Sequence, residues 1–377
     1  MSDFPVSEYE TRLAAVQRRM HGAGMDAILL TTEAEVRYFS GFRTPFWQSP
    51  TRPWFLVIPA DGKPVAVIPE IGAAAMRRTW VEDIRTWASP DPVDDGVSLL
   101  ASVLDGCGRV GLPMGRESSL RMPLRDFEDL RGRLRGAEFA DASDMLRQER
   151  MVKSEAEIDR LRRICGIASD AFADLPGLAG PGVPLSEVFR RFRIALLQRG
   201  ADDVPYLVGA AGQGGYGDVI SPPAPTPLRA GDVLMLDTGA ALDGYYCDFD
   251  RNFAVGAADE SVRSAYRTLV RAVDAGLATA RPGATCAGLF RAMAAVVGGA
   301  GGDVGRMGHG LGIQLTESPS LAAFDDTVLR PGMVLTLEPS IALAPGRMLV
   351  HEENIVIRDG EPELLSRRAA EEMAVIA

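Results

Sequence analysis

The sequence predicts an α+β chain of two domains, a smaller α/β domain over residues 1–144 and a larger one over 145–377. Three observations predict it. A length of 377 residues exceeds the roughly 250–300 over which a single core keeps growing. Helical and strand-like patterns alternate along the first part of the chain. Near its end Ser154, with Glu157 three residues later, forms a capping box that opens a long helix.

In chain order, residues 7–23 carry Leu13, Val16 and Met20 at helical spacing with basic residues between them, and Asp26–Leu30 then begins a strand. Strand-like runs at Trp54–Pro59 and Pro64–Pro69 are joined by Ala60-Asp61-Gly62-Lys63, a hairpin signal. Beyond the capping box, a second helix starts after Pro184 and strands follow at Val233–Gly239 and Tyr245–Val255. Helices at about 259–279 and 285–297 and a last set of strands from Gly308 to Ile357 complete the pattern.

Forty basic residues against 51 acidic ones give a net charge of −11, and no run of Lys and Arg is long enough to bind nucleic acid or an anionic membrane. No window approaches the roughly 20 apolar residues of a membrane span, and Met1–Pro5 has no signal-peptide character, so a cytoplasmic protein is expected. Cys107, Cys165, Cys247 and Cys286 have neither C-x-x-C spacing nor partner histidines, which predicts reduced thiols.

An acid, Asp237, interrupts the apolar run Val233–Gly239, a costly placement unless the charge is paired or binds a metal. The chain turns near Asp243-Gly244 and returns through Tyr245-Tyr246-Cys247-Asp248. With the turn centred on Asp243-Gly244, Asp237 and Asp248 are diagonal neighbours; with the turn one residue earlier they are directly opposed. Either register puts both carboxylates on one face. Two such acids repel unless a cation lies between them, although this hairpin alone also suits two acids facing water. Asp250 shares the face, as a third member or as a supporting acceptor.

Downstream, His309 sits between Gly308 and Gly310, where glycines let the backbone approach a neighbour closely. Glu338 closes the apolar strand Met333–Leu337, and Glu352 begins the next one. Four carboxylates and one imidazole nearly neutralise two divalent cations, and the oxygen-rich set suits Mn, Fe or Co at least as well as Zn. Two such ions can share a bridging water, lower its pKa and aim it at a polarised carbonyl.

The ordered blocks Leu236–Gly239, Gly244–Arg251, Gly308–Gly312, Pro331–Pro339 and Glu352–Ile357 resemble the pita-bread superfamily of methionine aminopeptidase, aminopeptidase P, prolidase and creatinase. The resemblance implies a pita-bread catalytic domain with Asp237, Asp248, His309, Glu338 and Glu352 as ligands of two metal ions. It also implies Glu338 as general base and His309 at the catalytic centre. Arg37–Phe42 and Arg52–Val57 resemble the N-terminal domain of the aminopeptidase P and creatinase type. By that resemblance Arg52 grips a substrate carboxylate in a partner subunit's site, so a homodimer sharing its active sites is expected, with Tyr38, Phe42, Phe46, Trp47 and Trp54 as candidate pocket walls.

The chain departs from the peptidase pattern in lacking two accessory histidines. No histidine lies between His21 and His309, and Thr316 stands seven residues after His309, where the resemblance implies a second histidine. Asp250 stands where a threonine is usual, and with Thr316 it is a candidate substrate contact. The resemblance therefore implies a hydrolase of an amide or other C–N bond, by default of Xaa-Pro peptides. The alternatives are a hydrolase or lyase of a small zwitterion such as creatine, ectoine or dimethylsulfoniopropionate, and a non-catalytic binding protein.

Overall fold

The apolar spacing at Leu13, Val16 and Met20 becomes the buried face of helix α1 (Val6–Ala23). This is seen in a computed structural model that describes residues 4–49, 52–298 and 305–377. The chain divides into two units, Met1–Arg150 and Met151–Ala377. In the first, strands β1 (Ala27–Leu30), β2 (Phe55–Pro59), β3 (Val65–Pro69), β4 (Asp83–Trp87), β5 (Arg109–Leu112) and β6 (Glu138–Asp141) form one sheet in the order β4-β3-β2-β1-β5-β6. The expected hairpin pairs Phe55 with Val67 and Val57 with Val65, whereas β1 runs parallel to β5.

Helices α2 (Glu33–Ser40), α3 (Ala73–Met76), α4 (Val97–Val103), α5 (Leu124–Arg133) and α6 (Ser143–Met151) complete the unit. Its core joins Leu29, Phe55 and Val67 of the sheet to Leu100, Leu104 and Leu130. Apolar area removed from water at roughly 25 cal/mol per Å² is what holds such layers together. The boundary expected after Asp144 falls inside α6, and the structural division comes at the end of that helix.

The second unit begins with α7 (Glu155–Leu178), whose first turn closes the expected capping box: Glu157 N donates to Ser154 Oγ, and Ser154 N to the Glu157 carboxylate. After α8 (Leu185–Gln198), strands β7 (Asp203–Gln213), β8 (Asp232–Leu242), β9 (Tyr245–Tyr246) and β10 (Phe249–Val255) form the first sheet, with β18 (Ala374–Ile376) on its edge. The second sheet has the order β12-β11-β13-β16-β17, from β11 (His309–Gly310), β12 (Glu317–Ser320), β13 (Val334–Leu337), β16 (Glu353–Val356) and β17 (Glu363–Leu364). A hairpin of β14 (Ser340–Ala344) and β15 (Arg347–Val350) stands apart from it.

Helices α9 (Glu260–Thr279) and α10 (Cys286–Val297) pack on this unit. The α9 face Val262, Tyr266, Leu269, Val273 and Gly276 is buried, at the three-to-four-residue spacing of an amphipathic helix. It shares one core with Met293, Met333, Leu335 and Leu337. Among the described residues no helix is long and apolar enough to cross a membrane. Strand β7 has no counterpart among the expected elements, because its half Gly209-Ala210-Ala211-Gly212 carries little β-forming side-chain bulk.

Candidate metal centre

The ladder between β8 and β10 decides the register that the sequence leaves open. Leu242 pairs with Tyr245, so the turn is Asp243-Gly244, both at positive φ as a tight hairpin turn requires. Asp250 is then directly opposite Asp237, and Phe249 opposite Thr238. Asp248 follows on the same face, diagonal to Asp237.

His309 arrives on a strand squeezed between β12 and β13. A Cβ on Gly308, at φ 136°, would lie 2.2 Å from the Thr336 carbonyl oxygen, and one on Gly310 would lie 2.2 Å from that of Ser318. Only glycines permit the approach that the sequence predicts there. His309 N donates to Thr336 Oγ1 at 3.1 Å, and with the proton on Nδ1 the ring donates to the Gly310 carbonyl at 2.9 Å. This leaves Nε2 as an acceptor, 3.4 Å from Asp248 Oδ2. Burial pushes the imidazole down to about 4, which keeps it neutral.

Ligand atoms of Asp248, His309 and Glu352 all lie within 4.8 Å of one another, and all three residues are buried. Burial, then the charges of Asp237 and Glu338, raise the Asp248 carboxyl well above its ordinary range. Burial, then Asp248, Glu338 and Asp237, do the same to Glu352. Asp237 is pushed up to about 7 by burial and then by Glu338, and Glu338 is itself raised by burial. These mutual effects draw Asp237 and Glu338 into one electrostatic cluster with the other two acids.

Asp237 Oδ1, Asp250 Oδ1 and Glu352 Oε1 are buried without a hydrogen-bond partner among the described residues. Oxygen-rich, mutually repelling and orphaned, this donor set fits divalent cations, which would satisfy the orphaned oxygens and cancel the repulsion. Arg306 is a positive group whose field lowers the carboxyls of Asp248 and Glu338.

Residues beyond the expected ligand set hold the candidate ligands in place. Arg251 donates through Nη1 to the carbonyls of Asp250 at 2.7 Å and Glu352 at 2.8 Å, and through Nη2 to Glu353 Oε2 at 2.8 Å. Although burial opposes it, the Arg251 charge, helped by His351 and Ser366, holds Glu353 well below the usual carboxylate range. His351 is fully buried, with Nε2 3.5 Å from Glu353 Oε1, as alternation from Glu352 requires. Tyr206, on β7, lies within the field of Asp237; burial and then that carboxylate raise its phenol far above its usual value, so the phenol keeps its proton. A tyrosine two residues ahead of the Val208-Gly209-Ala210 run was the available signal for it.

Asp250 is 1 % exposed and its Oδ2 accepts from Asn252 Nδ2 at 2.7 Å, so it supports the ladder from within. Thr316 is exposed, just ahead of Glu317, which pairs with the buried Lys153 at 3.1 Å. In the first unit, Tyr38 is a core residue. Its ring lies 4.1 Å beneath the Arg12 guanidinium and its hydroxyl donates to the Glu149 carbonyl at 3.1 Å, because a 3 % exposed phenol must find an internal acceptor. Phe42, Trp47 and Trp54 are likewise buried together, Trp47 and Trp54 with ring centres 5.9 Å apart, while Phe46 keeps an exposed edge. Arg52 is half-buried just ahead of β2.

Comparison with known proteins agrees with this geometry. Residues 12–152 match the Creatinase/Prolidase N-terminal domain and residues 159–359 match Metallopeptidase family M24. The chain is 31 % identical to a probable dipeptidase PepE of Mycobacterium tuberculosis over 368 residues, 94 % of this chain and 93 % of that one. The crystal structure of dipeptidase PepE from Mycobacterium ulcerans superposes with a TM-score of 0.86 at 28 % identity, covering 99 % of each chain. The prolidase from Pyrococcus horikoshii, at 22 % identity, shares the fold with a TM-score of 0.84 over 96 % of this chain and 100 % of its own. This chain is therefore an enzyme of Metallopeptidase family M24, a pita-bread metallopeptidase domain behind a creatinase/prolidase-type N-terminal domain.

Proposed function

We propose that the chain is a dipeptidase of the Xaa-Pro type, working with two divalent ions held by Asp237, Asp248, His309, Glu338 and Glu352. The observation that carries the reading is the buried convergence of Asp248, His309 and Glu352, with Asp237 and Glu338 in the same electrostatic cluster. The relatives named dipeptidase and Xaa-Pro dipeptidase support the substrate class. When bound, the ions supply Lewis acidity toward the scissile carbonyl and lower the pKa of the attacking water.

The side chains do the rest. Glu338, raised by burial, takes the proton of the attacking water and returns it to the departing amine. The Nδ1 proton of His309, held by the Gly310 carbonyl, keeps Nε2 facing the carboxylates. Arg52, supplied by a partner subunit, binds the free carboxylate of the dipeptide through its guanidinium fork.

Metal analysis and kinetics on the purified enzyme test the proposal together. Close to two divalent ions per chain and turnover of Xaa-Pro dipeptides are expected. Glu338→Ala should lose at least one ion and all turnover. Full activity after exhaustive chelation would sink the reading.

A further inference from the structure

One guanidinium organises the segment that carries Arg52. Arg121 Nη1 donates to the Arg52 carbonyl at 2.6 Å, and Nη2 donates to the carbonyls of Ser49 at 2.5 Å and Trp47 at 3.1 Å. The same group lies 5.2 Å over the Trp47 ring. Arg121 is itself anchored: its backbone N–H donates at 2.8 Å to Thr31 Oγ1, a fully buried residue just past β1.

Ahead of Ser49 the held backbone is a short 3₁₀ turn over Pro45–Gln48 opened by Thr44. Three carbonyls pointing at one place would leave acceptors without partners if the side chain were removed. A planar fork with five fixed donors can meet diverging carbonyls and stack on an indole at once, whereas an ammonium offers three donors around one point.

We propose that Arg121 is a positioning residue for substrate binding: it ties the backbone of Trp47, Ser49 and Arg52 to the central sheet so that Arg52 is presented in one place. The proposal rests on the reading that Arg52 binds the substrate carboxylate. Arg121 touches no substrate and its effect runs wholly through the backbone it holds. Misplacing a binding group by about 1 Å can cost up to a hundredfold.

The test uses the full-length, metal-loaded enzyme and the variants Arg121→Lys, Arg121→Ala and Arg52→Ala. Hydrogen–deuterium exchange of peptides covering residues 44–49 should quicken about tenfold or more in Arg121→Ala, and measurably in Arg121→Lys, while the peptides of β1 and β5 keep their wild-type protection. Kinetics on a Xaa-Pro dipeptide should show KM raised at least about tenfold with kcat within about twofold. On the same dipeptide with its C-terminus amidated, Arg121→Lys and wild type should differ little, because no carboxylate remains to be gripped. Unchanged exchange at 44–49 in both Arg121 variants overturns the proposal. An Arg52→Ala enzyme with wild-type KM overturns the underlying grip instead, whatever the exchange shows. Raised KM in Arg52→Ala alongside wild-type KM in both Arg121 variants rejects Arg121 while sparing Arg52.

Discussion

The side-chain amide of Asn354 closes on both backbone groups of Asp248: its Oδ1 accepts from Asp248 N at 3.0 Å, and its Nδ2 donates to the Asp248 carbonyl. One residue of β16 thus fixes the backbone just ahead of β10 that carries a proposed ligand. The Cys165 thiol donates to the same Oδ1 at 3.3 Å, so the amide has little freedom to turn. Asn354→Ala should leave Asp248 present but unheld and weaken metal binding by about 10–100-fold. Titration against a competing chelator measures this, and an affinity within about twofold of wild type would show that the ladder alone holds the ligand.

Removing the metal should make stability depend on pH in a particular direction. Without metal, the Asp237 carboxyl is pushed up to about 7 by burial and then by Glu338, and Asp248, Asp250 and Glu352 are raised as well. A folded-state value above the unfolded one, near 3.9 for aspartate, stabilises fully below about 4 and is lost as pH rises through about 7. The melting temperature of chelated protein should therefore fall between about pH 5 and pH 8, while that of metal-loaded protein stays flat or rises. Parallel profiles for the two forms would mean that the carboxylates do not share one buried cluster.

If Arg52 grips a carboxylate, Arg52→Ala should raise KM far more than it lowers the melting temperature. Arg52→Lys should recover little, since a point charge replaces a fork. Supplied in trans, the residue can be complemented. At substrate concentrations near the wild-type KM, mixed dimers of Arg52→Ala and Glu338→Ala protomers should be more active than either variant alone. Verified mixed dimers without recovery would place Arg52 outside any shared site.

The fourth expectation concerns Thr316, exposed and too short to reach where an imidazole would. A preorganised donor to a developing oxyanion is worth on the order of 10²–10³ in kcat. Wild-type kcat/KM on Xaa-Pro dipeptides should thus fall below the roughly 10⁴ M⁻¹s⁻¹ of ordinary enzymes, and Thr316→His should raise kcat. A wild-type value above that level, with no gain in the variant, would show that the accessory histidine is dispensable here.

The sequence by itself determined the elements whose signals are local. The capping box at Ser154 and Glu157, the hairpin Phe55–Pro59/Val65–Pro69, the helices near 260–279 and 286–297 and the turn at Asp243-Gly244 all follow from residue chemistry over a few positions. Period-two alternation likewise put Asp237, Asp248 and Asp250 on one face before any fold was known. Tertiary structure decided what depends on partners distant in sequence. It set Asp250 rather than Asp248 directly across from Asp237, buried Tyr38 under Arg12, joined Tyr206 to Asp237, and brought Arg251 to the carbonyl of Glu352 a hundred and one residues away. The reason is that a side chain's type fixes what it can bond to, while which acceptor it meets depends on strands paired and sheets packed across the whole chain, where no local pattern records the outcome.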